Sequence, residues 1–150
     1  MIAFRNEDSR FSLGEKLAAK DKIRRLAREE NKRTGELCFV FCSDEYLLRL
    51  NRRYLNHDYY TDVITFDYGS DSLIEGDVFV SIDRVKENAA IFNVPFNHEL
   101  SRVIYHAILH LCGYGDKTPA EESLMRSKED YYLKTLLTVG EKCTNTPTAN

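Results

Sequence analysis

Residues 97–116, NHELSRVIYHAILHLCGYGD, decide how this chain is read. An α-helix advances about 100° per residue, so His106 and His110, four positions apart, stand one above the other on a single face. Leu100, Val103, Ile104, Tyr105, Ile108, Leu109 and Leu111 cover nearly every other face, which is the pattern of a buried helix rather than a surface one. Buried imidazoles need partners, and two on one face can share a cation. Gly113 supplies the usual helix stop, because glycine enters the left-handed region without steric cost. Asp116 follows three residues later, close enough to add a carboxylate oxygen. Two imidazoles and one carboxylate leave a fourth tetrahedral position open, the arrangement of catalytic rather than structural zinc. The chemistry this implies is hydrolysis by a water whose pKa the metal lowers to about 7. In the plainer reading each histidine bonds the backbone and Asp116 sits in a turn. The spacing, the apolar setting and the third ligand together favour the metal.

The rest of the chain is consistent with one domain built around that helix. It has 150 residues, 43% of them hydrophobic and 30% charged, enough for a real core. No apolar stretch approaches the ~20 residues of a membrane span, and the start, MIAFRNEDSR, lacks the pattern of a signal peptide. A cytoplasmic location is expected, with no membrane partner. Cys38, Cys42, Cys112 and Cys143 form no CxxC pair and read as ordinary reduced thiols, Cys112 lying away from the histidine face. The formal charge of −3 argues against indiscriminate nucleic-acid binding, yet residues 13–33 alone carry +4, leaving −7 for the remainder. Those basic residues form either a phosphate-facing stripe or a solvated helix face laced with ion pairs. The second is the commoner outcome and is the one expected here.

Working outward, the apolar patterns predict an α+β fold: one domain over residues 1–139, with a small mixed sheet of about four strands packed against helices. Strands are expected at Ile2–Phe4, Glu36–Cys42, Asp62–Asp67 and Asp77–Ile82, with a polar turn over Tyr68–Gly76. A first helix is expected from Leu13 to about Lys32, with Leu17, Ile23, Leu26 and Ala27 inside. A second follows an N-cap at Ser43 and ends near Arg53 or Tyr54, with Leu47, Leu48 and Leu50 inside. A third starts at Ser81 or Asp83 and stops before Asn93–Pro95, and the histidine helix begins near Asn97. Thr118-Pro119-Ala120-Glu121 reads as a capping box with proline at the first helical position, opening a last helix to about Leu137. Residues 140–150 are expected to be a disordered tail.

The segment from His106 to Asp116 resembles the signature His-Gly-x-Leu-His-Leu-x-Gly-Tyr-Asp-His of the YbeY-type rRNA maturation factors, metal-dependent endoribonucleases of bacteria. Leu50-Asn51, Tyr54, Asp58 and the run Thr61-Asp62-Val63-Ile64-Thr65-Phe66 are similar to that family's upstream block. Gly76-Asp77-Val78 and Ser81-Ile82-Asp83 are similar to its strand-to-helix step. The resemblance spans about residues 36–135 with the blocks in order. It implies one zinc ion per chain at His106, His110 and Asp116, and single-stranded RNA as substrate. It also implies a role in ribosome biogenesis that includes the 3′ end of 16S rRNA, with the small ribosomal subunit or its assembly factors as partners and no DNA.

Three positions depart from the signature. The third ligand, usually His, is Asp116, and carboxylate oxygen is an accepted zinc ligand. The glycine after the first His is Ala107. The arginine after the tyrosine is Leu55, so a cation for the scissile phosphate is missing there; Arg52 and Arg53 either replace it as substrate-binding residues or are surface residues. No general base is assigned. His57 and Asp62 are nearby acid-base candidates, with a turn residue and a strand-edge carboxylate as their ordinary roles. Two other functions remain open: a ribosome-associated assembly factor with mainly structural zinc, and a zincin-like metalloprotease. Ala107 stands where such proteases place their catalytic Glu, which counts against the latter.

Overall fold

A computed structural model describes residues 1–140. The elements run β1 (Ile2–Asn6), α1 (Lys16–Glu29), β2 (Arg33–Cys42), α2 (Asp44–Tyr54), β3 (Val63–Asp67), β4 (Leu73–Ser81), α3 (Ile82–Phe92), α4 (Phe96–Leu111) and α5 (Pro119–Thr135). The four strands form one mixed sheet in the order β1-β2-β4-β3. β1 and β4 run parallel to β2, with Phe4 beside Phe39 and Phe39 beside Val78. β3 is the antiparallel edge, Val63 facing Val80. The α+β class and the four-strand mixed sheet match the expectation. The expected tail falls almost wholly outside the described residues.

Local chemistry places most boundaries. The side chains of Ser43 and Ser81 each accept from a backbone N–H three residues on, capping α2 and α3. Thr118 and Glu121 complete a reciprocal capping box at α5, with Pro119 in its first turn. Asn93 ends α3 in the left-handed conformation, φ 55°. Two expectations need correction. Leu17 is 78% exposed, because the inward stripe of α1 is Ala19, Ile23, Leu26 and Ala27, and a leucine six residues before Ile23 is off that face. The expected turn over Tyr68–Gly76 is shorter, because Leu73 and Ile74 already pair with Arg33 and Thr34 and extend both strands.

α4 is the centre of the core. Leu100, Ile104 and Ile108 are completely buried, and the helix packs on β3 and β4 with α1, α3 and α5 around it. At its end Gly113, with φ 112°, donates to His110 O, and Tyr114 N reaches back to Leu109 O at 3.1 Å. This Schellman turn reverses the chain within two residues and presents the following segment to the last turn of α4. Among the described residues no helix is long and apolar enough to cross a membrane.

Candidate metal centre

The turn after α4 brings Asp116 back to the two histidines. Asp116 Oδ2 lies 3.3 Å from His106 Nε2 and 3.6 Å from His110 Nε2. Bonds of about 2.1 Å at a tetrahedral angle would set ligand atoms about 3.4 Å apart. All three ligand atoms lie within 4.8 Å of one another.

The opposite ring nitrogens decide what these atoms can do. His106 Nδ1 is 2.7 Å from Glu129 Oε2, and His110 Nδ1 is 2.7 Å from Tyr114 O. A carboxylate and a carbonyl can only accept, so each Nδ1 carries a proton and it is each Nε2 that faces Asp116, with its lone pair available to a metal when the ring is neutral. Two nitrogen lone pairs and a carboxylate oxygen aimed at one point suit a divalent cation, so the residues present fit the metal that the sequence implies. The side chains of His106 and His110 are 17% and 33% exposed, which leaves the point open to solvent on one side.

Behind His106 lies a buried charge network. Glu99 and Glu129, both almost inaccessible, hold the Arg102 guanidinium between them. Arg102 also reaches Asp62 at 3.5 Å. A hydrogen-bonded network of this kind is rigid, and its fixed carboxylate sets the ring orientation of His106. Burial alone would lower the pKa of His106, but the Glu129 hydrogen bond and the charges of Glu129, Asp116 and Asp62 more than offset it and raise it. Burial lifts the Asp62 carboxyl above its ordinary range in spite of Arg102 and His106.

The meeting point of the three side chains opens into a cleft of about 300 Å³ between the end of α4 and the segment before β3. Its far wall carries Leu55, His57, Tyr59, Thr61 and Asp62, with Lys117 beside Asp116. Buried Asn51 organises that wall, donating from its side chain to Tyr59 O and accepting from His57 N at its carbonyl. His57 and Tyr59 stack, ring centroids 5.1 Å apart, at the exposed rim.

Both acid-base candidates therefore line the cleft, whereas Arg52 and Arg53 do not. Arg52 pairs with Asp58, and Arg53 lies over the Tyr54 ring on another surface. At the end of α2 it is Asn51 and the capping residue Leu55, four apart, that face the cleft, and the two intervening arginines point elsewhere. The cation at this mouth is Lys117. Sequence reasoning missed Glu129, Arg102 and Lys117; a glutamate in the apolar stripe Met125, Glu129, Tyr132 of α5 was the available signal.

Residues 2–137 match the family described as Endoribonuclease YbeY. The chain belongs to that family. A protein of Flavobacterium psychrophilum named Endoribonuclease YbeY is 50% identical over 134 residues, covering 89% of this chain and 95% of its own length. One of the same name from Parabacteroides distasonis is 46% identical over 135 residues, 90% of this chain and 95% of its own. A solution structure of a Thermotoga maritima protein superposes with a TM-score of 0.65 at 29% identity, covering 91% of this chain and 89% of that one. The YbeY match takes in every cleft residue described above, including Asp116 and Leu55.

Proposed function

We propose that this chain is a zinc-dependent endoribonuclease that cuts single-stranded RNA and acts in rRNA maturation, including the 3′ end of 16S rRNA, in the cytoplasm. The observation that carries the reading is the convergence of His106 Nε2, His110 Nε2 and Asp116 Oδ2 at the floor of an open cleft, each imidazole fixed through its other nitrogen, in a chain of the YbeY family. Zinc bound there supplies Lewis acidity towards a phosphodiester oxygen and a low-pKa water as nucleophile.

The chain's own residues do the rest. Glu129 and Tyr114 O hold the imidazoles in the ligating tautomer. Lys117, at the mouth, places a cation where the scissile phosphate gathers negative charge, the task left vacant by Leu55. The stacked pair His57–Tyr59 offers an exposed aromatic face to an unpaired base. Duplex RNA keeps its bases in the helix stack, so a stacking rim favours single strands. Asp62 lines the cleft with a raised pKa and Arg102 behind it, suited to accept or return a proton at its carboxylate. Small-subunit rRNA and its assembly partners are the biological setting this reading assigns.

Leu55 favours one second reading, a ribosome-associated assembly factor whose zinc is mainly structural. Incubating wild type and His110→Ala with single-stranded rRNA fragments separates the two. Cleavage by wild type alone supports the nuclease. Equal cleavage by both proteins, or none by either with zinc bound to wild type, refutes it.

A further inference from the structure

The stripe expected to be an ion-paired helix face has few ion pairs. Arg24, Arg25 and Arg28 on the last turns of α1 and Lys32 and Arg33 at the start of β2 line a groove of about 550 Å³ that shares no residue with the metal cleft. The two glutamates at the end of α1 are engaged elsewhere. Glu29 accepts from the Tyr131 hydroxyl, and Glu30 accepts from Tyr114, Tyr132 and Lys128, all on or near α5. Asp21 is the one acid in the groove wall and pairs with Arg24 at 3.2 Å. Lys32 donates to the main-chain carbonyl of Asp71. Among the described residues, Arg25, Arg28, Lys32 and Arg33 have no carboxylate within ion-pair distance. Arg25, Arg28 and Arg33 are exposed.

A helix C-terminus attracts cations and accounts for Arg28 in the last turn. It does not account for Arg33, on a strand, or for the removal of Glu29 and Glu30 to the other side. Concave positive charge on a chain of net charge −3 is a local feature, and a groove concentrates its field. Forked guanidiniums suit phosphate oxygens two at a time.

We infer that this groove is a second RNA-binding site, which takes the sugar-phosphate backbone of a single strand whose cleavage point lies in the metal cleft; the inference rests on the RNA-cleaving reading above. The two sites belong to one framework. Glu30, at the end of α1, holds the Tyr114 hydroxyl, and the carbonyl of the same tyrosine holds His110. The groove therefore keeps a fixed position relative to the cleft and contributes affinity without touching the chemistry.

The test is equilibrium binding of a labelled, hydrolysis-resistant phosphorothioate single-stranded RNA to the zinc-loaded full chain across a series of salt concentrations. Arg25→Gln/Arg28→Gln/Arg33→Gln is compared with wild type and with the charge-conserving triple lysine variant at the same positions. Each lost phosphate contact on a single strand reduces the slope of log affinity against log salt by about 0.7, so the glutamine variant shows a slope about 2 units shallower. The lysine variant keeps the wild-type slope, and zinc content is equal in all three. An unchanged slope in the glutamine variant overturns the groove. So does binding of polyglutamate that is lost in the glutamine variant while RNA binding is kept, since the occupant is then an acidic protein surface. Absence of RNA binding by wild type also overturns it. Wild-type cleavage that His110→Ala abolishes, alongside an unchanged slope, overturns the groove and leaves the metal-centre reading standing.

Discussion

The two walls of the cleft are built in opposite ways. On the helical side, His106 and His110 project from a helix buried on nearly all faces, and the carboxylate behind His106 is itself held by Arg102, which Glu99 in turn pairs. On the other side, Leu55, His57 and Tyr59 sit on an exposed stretch without regular structure, tied to the body mainly through Asn51. A cation needs ligand atoms fixed within tenths of an ångström, whereas unpaired bases of varying sequence need a surface that adapts. The contrast supports the proposed division, with metal on the first wall and substrate contact on the second.

The largest test of that division is removal of a ligand. His106→Ala or His110→Ala is expected to lose zinc, by elemental analysis, and to reduce cleavage by about 10³-fold or more, while the fold persists by circular dichroism. Retention of stoichiometric zinc by either variant breaks the assignment. Next in size is the support behind the ligand. Glu129→Gln keeps an acceptor for His106 but removes its charge, and zinc affinity should drop about 10- to 100-fold in a competition titration with a chelator. The same change leaves Arg102 paired with Glu99 and Asp62 and turns its contact to residue 129 from a charge-assisted hydrogen bond into a neutral one, a cost of about 1 kcal/mol in denaturant unfolding.

The raised pKa of His106 makes both stability and metal affinity depend on pH. Without metal, the protonated ring is stabilised in the folded state, a contribution fully present below the ordinary value of 6.5 and lost as pH rises through the elevated folded value. Zinc competes with that proton, so its affinity should fall as pH drops through the elevated value, about tenfold per unit below it. Glu129→Gln removes the main group raising the pKa and should move this transition to lower pH; an unmoved transition means that Glu129 does not set it. The smallest effects belong to the adaptable wall. Tyr59→Ala removes one stacking face and should raise KM about fivefold with zinc content unchanged. A fall in kcat with constant KM would place Tyr59 in the chemistry instead.

What was legible in the sequence was whatever is encoded locally. The four-residue histidine spacing, the glycine stop, the Thr118–Glu121 capping box and the Ser43 cap each rest on contacts within a turn or two, and each is present. The hidden parts depend on contacts between distant elements. Glu129 meets His106 only after α5 folds back on α4, and Asp62 reaches Arg102 only across the sheet edge. Glu99, Arg102 and Glu129 did leave a trace as charged residues on helix faces that should be apolar, and a buried charge needs a partner somewhere. Arg52 and Arg53 lie off the cleft for a geometric reason: one or two positions along a helix from Asn51 turn a side chain about 100° or 200° away from it. The stripe on α1 was ambiguous because composition counts charges but does not say which neighbour each will choose.

Whether His106, His110 and Asp116 hold one metal ion is decided by diffraction at the zinc absorption edge. One anomalous peak per chain is expected, about 2.0–2.2 Å from His106 Nε2, His110 Nε2 and an Asp116 carboxylate oxygen, with a fourth position open to the cleft. Crystals of protein shown by elemental analysis to contain zinc, with the peak elsewhere or with a fourth protein ligand closing the site, would contradict it.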